Sequence, residues 1–428
     1  MLVFSISLMI NSFGNTLTSA KIEPPSRMEI PFEYYNGLIK INVKINGVKL
    51  KFIYDTGAEH TILTNNEIAG ILNLKITREL DIKGADLKNN IKAYITQPIV
   101  IELFKTNTSK HKLNFSDDKN EQSQYEVREN KISFSKQTQI LILDSNIFSD
   151  DLMTSDISGI IGASFFDNVL VEIDYKKAKI ILYLNDKKVN FKGFEKIDSY
   201  FAGNKPHIIT DVKINEGDTS SKANLLLDTG CSIPILLLEK TDETFKRPEN
   251  SKQGQLGIGL GGEISGWIGL TNTIRFNDFE FKNMITKFHS PDTNLICLDN
   301  TIRDGLIGNE MMKNFTVLID YRKKELYFKP NKNYNKKTKN DRSGLTIFAT
   351  GTDLNEYYVK SVIKDSPASE AEILSGDKII KIGNLSSKFW TLERITKTLK
   401  KKEGKKIKMV ILRQDKKIKK EFHLREMF

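Results

Sequence analysis

The sequence predicts a mainly β protein: two homologous β-barrel lobes related by a pseudo-twofold axis, followed by a smaller α+β domain. An internal repeat carries that expectation. Val171-Glu172-Ile173-Asp174-Tyr175-Lys176-Lys177 returns as Val317-Leu318-Ile319-Asp320-Tyr321-Arg322-Lys323. Each copy follows an apolar-apolar-Gly step, Ile160-Ile161-Gly162 and Leu306-Ile307-Gly308, and Asn168 between them is matched by Asn314. Upstream, in the same order, stand Phe52-Ile53-Tyr54-Asp55-Thr56-Gly57-Ala58 and Leu225-Leu226-Leu227-Asp228-Thr229-Gly230-Cys231. Self-similarity in register sets an architecture before any single element is assigned. The lobes fall at residues 28–188 and 195–330.

The elements follow in chain order. Leu2 to Ile10 is almost unbroken apolar sequence, and Thr18, Ser19 and Ala20 supply the small residues of a cleavage site, so residues 1–20 read as a signal peptide although no Lys or Arg precedes them. The chain is therefore expected to be exported, to a periplasm or outside the cell. No later segment approaches the ~18 uncharged apolar residues of a membrane span, so no transmembrane segment is expected in the mature chain. Alternating residues mark strands at Leu38 to Ile45, Ile208 to Ile214 and Glu325 to Phe328, with Asn46-Gly47 as a hairpin turn. Ser164 to Asn168 and Glu310 to Asn314 read as helical turns. Thr106 to Lys136 is polar and reads as a loop or an exposed hairpin insert. Residues 331–342, eight of twelve Lys or Asn, have little to bury and read as a linker.

The last domain, 343–428, begins after it. It should hold a strand at Tyr357 to Ile363, a Ser366-Pro367-Ala368 turn into a short helix, and a Gly376-Asp377 turn into the strand Lys378 to Ile382. A helix follows within Trp390 to Leu399, where Leu392, Ile395 and Leu399 share a face.

Composition excludes several classes. With 39% hydrophobic and 28% charged residues the chain is neither collagen-like nor wholly disordered, and 428 residues at about 150 per domain suggest roughly three domains. The net charge is 65 − 54 = +11, yet Lys397 to Lys420 contains no aromatic residue to stack on bases, so no nucleic acid is expected as partner. Cys231 and Cys297 allow one disulfide at most, and the five histidines form no H-E-x-x-H or close pair. Neither a metal nor a cofactor is expected.

The chemistry resides in the two Asp-Thr-Gly loops, since about 0.1 such tripeptide is expected by chance in a chain of this length. Each Asp ends an apolar strand and precedes a Gly that permits a tight turn. If the lobes face one another, Asp55 and Asp228 meet. Carboxylates about 3 Å apart repel by ~5 kcal/mol at an effective dielectric near 20, so the pair holds one proton and offers a general base and a general acid together.

These loops and the apolar-apolar-Gly steps resemble the pepsin and retropepsin aspartic peptidases, here with both acid-protease β-barrel lobes in one chain. The resemblance spans residues 28 to 330. It implies Asp55 and Asp228 as the catalytic dyad, with an activated water attacking a polypeptide substrate in the interlobe cleft. It implies loop-supporting roles for Thr56, Gly57, Ala58, Thr229, Gly230 and Cys231. Ala58 and Cys231 replace the Ser often found after the motif and offer no good side-chain donor to the aspartates, which predicts an activity optimum less acidic than that of pepsin-like enzymes. Cys231 has no His nearby in sequence and reads as a packing residue. The alternative is a non-catalytic peptide-binding scaffold whose protease fold is vestigial.

Gly257-Ile258-Gly259-Leu260-Gly261-Gly262 matches the dinucleotide pattern G-x-G-x-x-G, but strand-like Ile264 to Ile268 follows where a helix is required. A glycine-rich flap over the cleft fits better, with Gly257, Gly259, Gly261 and Gly262 at its tip and Gly84 in the first-lobe counterpart around Lys83 to Asn90. Residues 343 to 428 resemble a bacterial-type PDZ domain through Ser366-Pro367-Ala368 and Ser375-Gly376-Asp377-Lys378-Ile379. Gly344-Leu345-Thr346-Ile347 stands where G-L-G-F is usual. The resemblance implies that a peptide, or a C-terminal ligand, adds a strand along Gly344, Leu345, Thr346 and Ile347 opposite Leu392. Thr346 in place of Gly weakens carboxylate capture.

Overall fold

The computed structural model describes residues 27–64, 66–83, 90–104, 133–144, 157–184, 189–239, 245–259, 262–290, 303–334, 336, 340–351 and 354–428. The expected leader at 1–20, most of the polar stretch 106–136, and Gly84, Gly261 and Cys297 lie outside them. Strands dominate, as the alternation predicts. Leu38–Ile45 buries Ile39, Ile41, Val43 and Ile45 on one face and turns into Val48–Asp55 through Asn46 and Gly47, both at positive φ (48° and 85°). That turn matches the right-handed twist of its flanking strands. Among the described residues no helix is long and apolar enough to cross a membrane.

Each half builds its own sheet. In the first, Val48–Asp55 lies between Leu38–Ile45 and the parallel Gly159–Gly162, with Gly162 opposite Asp55. In the second, Ser221–Leu227 lies between Lys205–Lys213 and the parallel Gly305–Ile307. The second sheet closes on itself where Lys205–Lys213 also pairs with Gly262–Phe276. The apolar-apolar-Gly steps are thus central strands, buried throughout at Ile160–Gly162 and, apart from half-buried Leu306, in the second copy, which is why they carry little alternation.

A third, six-stranded sheet takes strands from both halves. At its centre the repeated segments Leu170–Asp174 and Phe315–Asp320 run antiparallel, pairing Val171 with Ile319, Glu172 with Leu318 and Ile173 with Val317. Exchanging the halves leaves this register unchanged, so a local twofold passes between Glu172 and Leu318. Asp174 accepts from Lys176 and Lys177 N–H, and Asp320 accepts from Arg322 and Lys323 N–H, so the turns that follow are capped alike. One continuous core serves both halves, joined by Tyr54, Phe166 and Tyr321.

Two helical turns appear where expected, a 3₁₀ turn at Ala163–Phe166 and a short helix at Asn309–Met312. Of the expected linker, the described residues 331–334 lie against the second half. Strand Glu325–Pro330 runs into this segment, and Tyr334 packs its ring against Phe279, Phe281 and Phe315 while its hydroxyl accepts from Glu280 N–H at 3.0 Å. Asn331 adds to this, its N–H donating to Asn314 O and its Nδ2 to Lys313 O, each at 2.9 Å. The final domain has a separate core around Tyr357, Ile379, Ile395 and Ile411's neighbours Ile407 and Met409.

Candidate active site

The structure brings the two Asp-Thr-Gly loops face to face. A Cβ added at Gly57 would stand 2.8 Å from the Asp228 carboxyl carbon, and one at Gly230 would overlap the Asp55 carboxyl. Only glycine permits this approach. The threonines clasp each other: Thr56 N–H donates to Thr229 Oγ1 at 3.0 Å and Thr229 N–H to Thr56 Oγ1 at 3.0 Å. Their hydroxyls in turn donate across, Thr229 to Tyr54 O at 2.7 Å and Thr56 to Leu227 O. Both threonines are fully buried, so these bonds lock the loops where no water competes.

Each loop is seated on its apolar-apolar-Gly step. A Cβ at Gly162 would overlap His60 O, and one at Gly308 would overlap Ile233 O. The main chain then continues the support, with Ala163 N–H donating to Ala58 O at 2.8 Å and Asn309 N–H to Cys231 O at 2.8 Å.

Surrounding protein desolvates both carboxyls and raises both pKa values. The pair is not symmetric. Asp55 Oδ1 accepts from Gly57 N–H at 2.8 Å and Ala58 N–H at 3.1 Å, whereas Asp228 Oδ1 accepts from Gly230 N–H at 2.8 Å. The amides favour charge on Asp55, and that charge, after burial, pushes Asp228 further up, well above the usual carboxylate range. Ala58 therefore lacks a side-chain donor but supplies a main-chain one. Cys231 has a free thiol, which burial and then Asp228 push up to about 12, so it stays protonated at neutral pH and is a poor nucleophile.

The glycine-rich segment is a hairpin. Lys252–Gly259 pairs with Gly262–Phe276, ending at Gly259 opposite Gly262. A dinucleotide fingerprint needs a strand then a helix, and this is strand then strand. In the first half Ile76–Lys83 and Asn90–Thr96 form the corresponding hairpin, with Lys83 opposite Asn90.

In the final domain Leu345–Thr350 is the edge of its sheet, paired with Glu356–Val362 and packed beneath the helix Leu392–Leu399. Leu345 is buried, Thr346 is exposed, and Ile347 and Leu392 lie half-buried against the core. Residues 334–412 match the PDZ domain family. No curated protein matches the chain.

The PDZ domain match begins within the Lys- and Asn-rich segment and ends before the last strand, Lys416–His423, which the structure pairs with Lys406–Arg413 in the same sheet. A PDZ domain is a protein-interaction module that takes peptides along such an edge. Its loop has a distinctive occupant. Asp341 Oδ1 accepts from Ser343 N–H and Gly344 N–H, each at 2.8 Å, and Leu345 N–H donates to Ser343 Oγ at 3.1 Å. The amides of Gly344 and Leu345 that would meet a ligand's terminal carboxylate are already bonded. Gly344 has φ +81°, and a Cβ there would overlap the Ser366 side chain.

Several residues of the site escaped the sequence reading. Asn309 is fully buried, donates through Nδ2 to Thr229 O at 2.6 Å, and accepts from the Tyr175 hydroxyl at 2.6 Å. Tyr321, at the matching place in the other repeat, meets the Tyr54 hydroxyl at 3.2 Å. The repeated tyrosine after Ile-Asp was the available signal, since each reaches under the opposite half's loop. Glu59 ties the halves as well, accepting from Asn204 N–H at 3.0 Å and Nδ2 at 2.8 Å.

Proposed function

We propose that the chain is a single-chain aspartic endopeptidase whose PDZ domain recruits a substrate or partner. The observation that carries this reading is the reciprocal threonine clasp, which sets two half-buried carboxyls of raised pKa against one another. In the proposed reaction Asp55, on which two amides favour the charge, takes a proton from water, and Asp228, which keeps the shared proton, gives it to the carbonyl oxygen of the scissile amide. The gem-diol then collapses as Asp55 gives the proton it took from water to the amide nitrogen and Asp228 takes one from a gem-diol hydroxyl, so that the C–N bond breaks, the amine leaves and the dyad again holds one proton. Neither covalent nucleophile nor metal enters this scheme. The glycine hairpin, Gly257 and Gly259 against Gly262, is proposed to close over the extended substrate. Export is proposed from the apolar stretch Leu2 to Ile10 and the small residues after it.

The test is degradation of an unfolded protein such as reduced casein across a pH series. Asp55→Asn and Asp228→Asn should each lower turnover by about 10³-fold, because each removes one partner of a concerted acid–base step. Equal turnover by all three proteins would sink the reading. Wild type without turnover at any pH would favour the non-catalytic peptide-binding scaffold, which the PDZ domain alone is able to support.

A further inference from the structure

The PDZ edge strand is engaged from within the chain. Asn36 lies in the turn between Glu33–Tyr35 and Leu38–Ile45, at φ +49°. Its side-chain amide makes the two bonds a neighbouring strand would make: Nδ2 donates to Ala349 O at 3.2 Å, and Ala349 N–H donates to Oδ1 at 3.3 Å. The Tyr35 hydroxyl donates to the same carbonyl at 3.2 Å. Ala349 is buried, its one N–H is taken, and both lone pairs of its carbonyl are used.

The same turn touches the dyad loop. Gly37, at φ +86°, presses on Ser232, where an added Cβ would stand 2.7 Å from the serine's own. Ser232 follows Cys231 in the loop that carries Asp228. The PDZ domain leans on the glycine hairpin too, with Lys364 N–H donating to Gln253 O at 3.3 Å and Lys252 Nζ to Asp365 O at 3.2 Å.

We propose that the Tyr35–Gly37 turn is a built-in competitor for the PDZ edge, and that a peptide strand long enough to reach Ala349 displaces it and frees the Asp228 loop. Occupancy of the PDZ domain then regulates the dyad; this half of the inference rests on the peptidase reading. The ligand is an internal extended segment, because Asp341 already takes the loop amides. Length decides competition. Leu345 to Ala349 is four residue steps, about 14 Å at about 3.4 Å per residue, so a heptapeptide meets Asn36 and a tripeptide bound at the Leu345 end does not.

The experiment uses the full chain with Asp55→Asn, so that no peptide is cleaved, with and without Asn36→Gly, which tolerates the positive φ and deletes only the amide. The probes are a C-terminally amidated heptapeptide of alternating Thr and Val, and its amidated tripeptide. Calorimetry should give about tenfold tighter heptapeptide binding to the Asn36→Gly chain, with the tripeptide unaffected by the substitution. Amide hydrogen exchange at Ser232 should rise several-fold when the heptapeptide binds the chain that retains Asn36. Equal heptapeptide affinities, or binding to neither chain, overturn the competition, and unchanged exchange at Ser232 overturns the coupling. Both measurements are made without hydrolysis, so a wild type inert toward casein would defeat the peptidase reading and leave the competition standing.

Discussion

At the scale of single residues, the dyad sets a pH dependence whose sign is fixed by burial. A carboxyl with a higher pKa folded than unfolded binds its proton more tightly in the native state. Between those two values the native protein therefore holds more protons, and stability falls as pH rises. For Asp228, raised first by burial and then by the charge on Asp55, the stabilisation is complete below about pH 4, the ordinary carboxyl range. It is lost as pH climbs through the raised native value. Asp228→Asn removes the cost of keeping that group in place, so thermal unfolding should show Tm raised by about 3 °C or more at pH 7, with the difference gone below about pH 4. A variant less stable than wild type at pH 7 would contradict this. The proposed catalysis by a singly protonated pair should also persist to higher pH than for unburied carboxyls, seen as the alkaline limb of the casein profile. The missing Ser hydroxyls at Ala58 and Cys231 gave the sequence's expectation of a less acidic optimum; in the structure the Ala58 amide donates to Asp55, and burial is the largest cause of the raised pKa.

At the scale of elements, glycine governs the packing beneath each loop. Gly162 and Gly308 stand where any side chain would strike the carbonyls of His60 and Ile233, and main-chain atoms cannot yield as a flexible side chain would. Gly162→Ala should destabilise by about 1–3 kcal/mol in urea unfolding, as overpacking does, and should lower any dyad activity by shifting the Asp55 loop. Gly217→Ala, with no neighbouring atoms within contact distance, serves as control and should change little. Some elements were legible from pattern alone: the hairpin at Asn46-Gly47, the strand Lys378–Ile382 and the helix through Leu392 and Ile395 are where alternation and turn chemistry put them. Others were not. The segment after Pro330 looked unable to bury anything, yet Tyr334 found an aromatic pocket assembled from Phe279, Phe281 and Phe315, residues that share no local pattern with it. Composition averages over a window, and one ring docked on distant strands is invisible to an average.

At the scale of the whole molecule, one hydrophobic core runs through both halves while the PDZ domain has its own, joined to them by hydrogen bonds that include those at Tyr35, Asn36, Lys252 and Gln253. Calorimetry should therefore resolve two unfolding transitions, the halves melting together. Arg413→Ala tests the assignment. Arg413 Nε and Nη2 bond Asp377 at 2.6 and 2.8 Å, and Asp377 is 1% exposed, so the substitution leaves a buried carboxylate short of partners. It should cost about 3 kcal/mol and lower the PDZ transition alone; a single transition shifted as a unit would show the domains to be coupled more tightly than their contacts imply.

The amino-acid order by itself determined the duplication, the two acidic turns and the module at the C-terminal end, because each is written in contiguous residues whose spacing survives any placement of the rest. Tertiary structure alone decided which carboxyl is the more easily ionised, that Tyr175 and Tyr321 reach beneath each other's partner loops, and that Asn36 holds the edge at Ala349. Those outcomes depend on burial and on hydrogen bonds between residues up to 313 positions apart, and such distances leave no periodic trace along the chain.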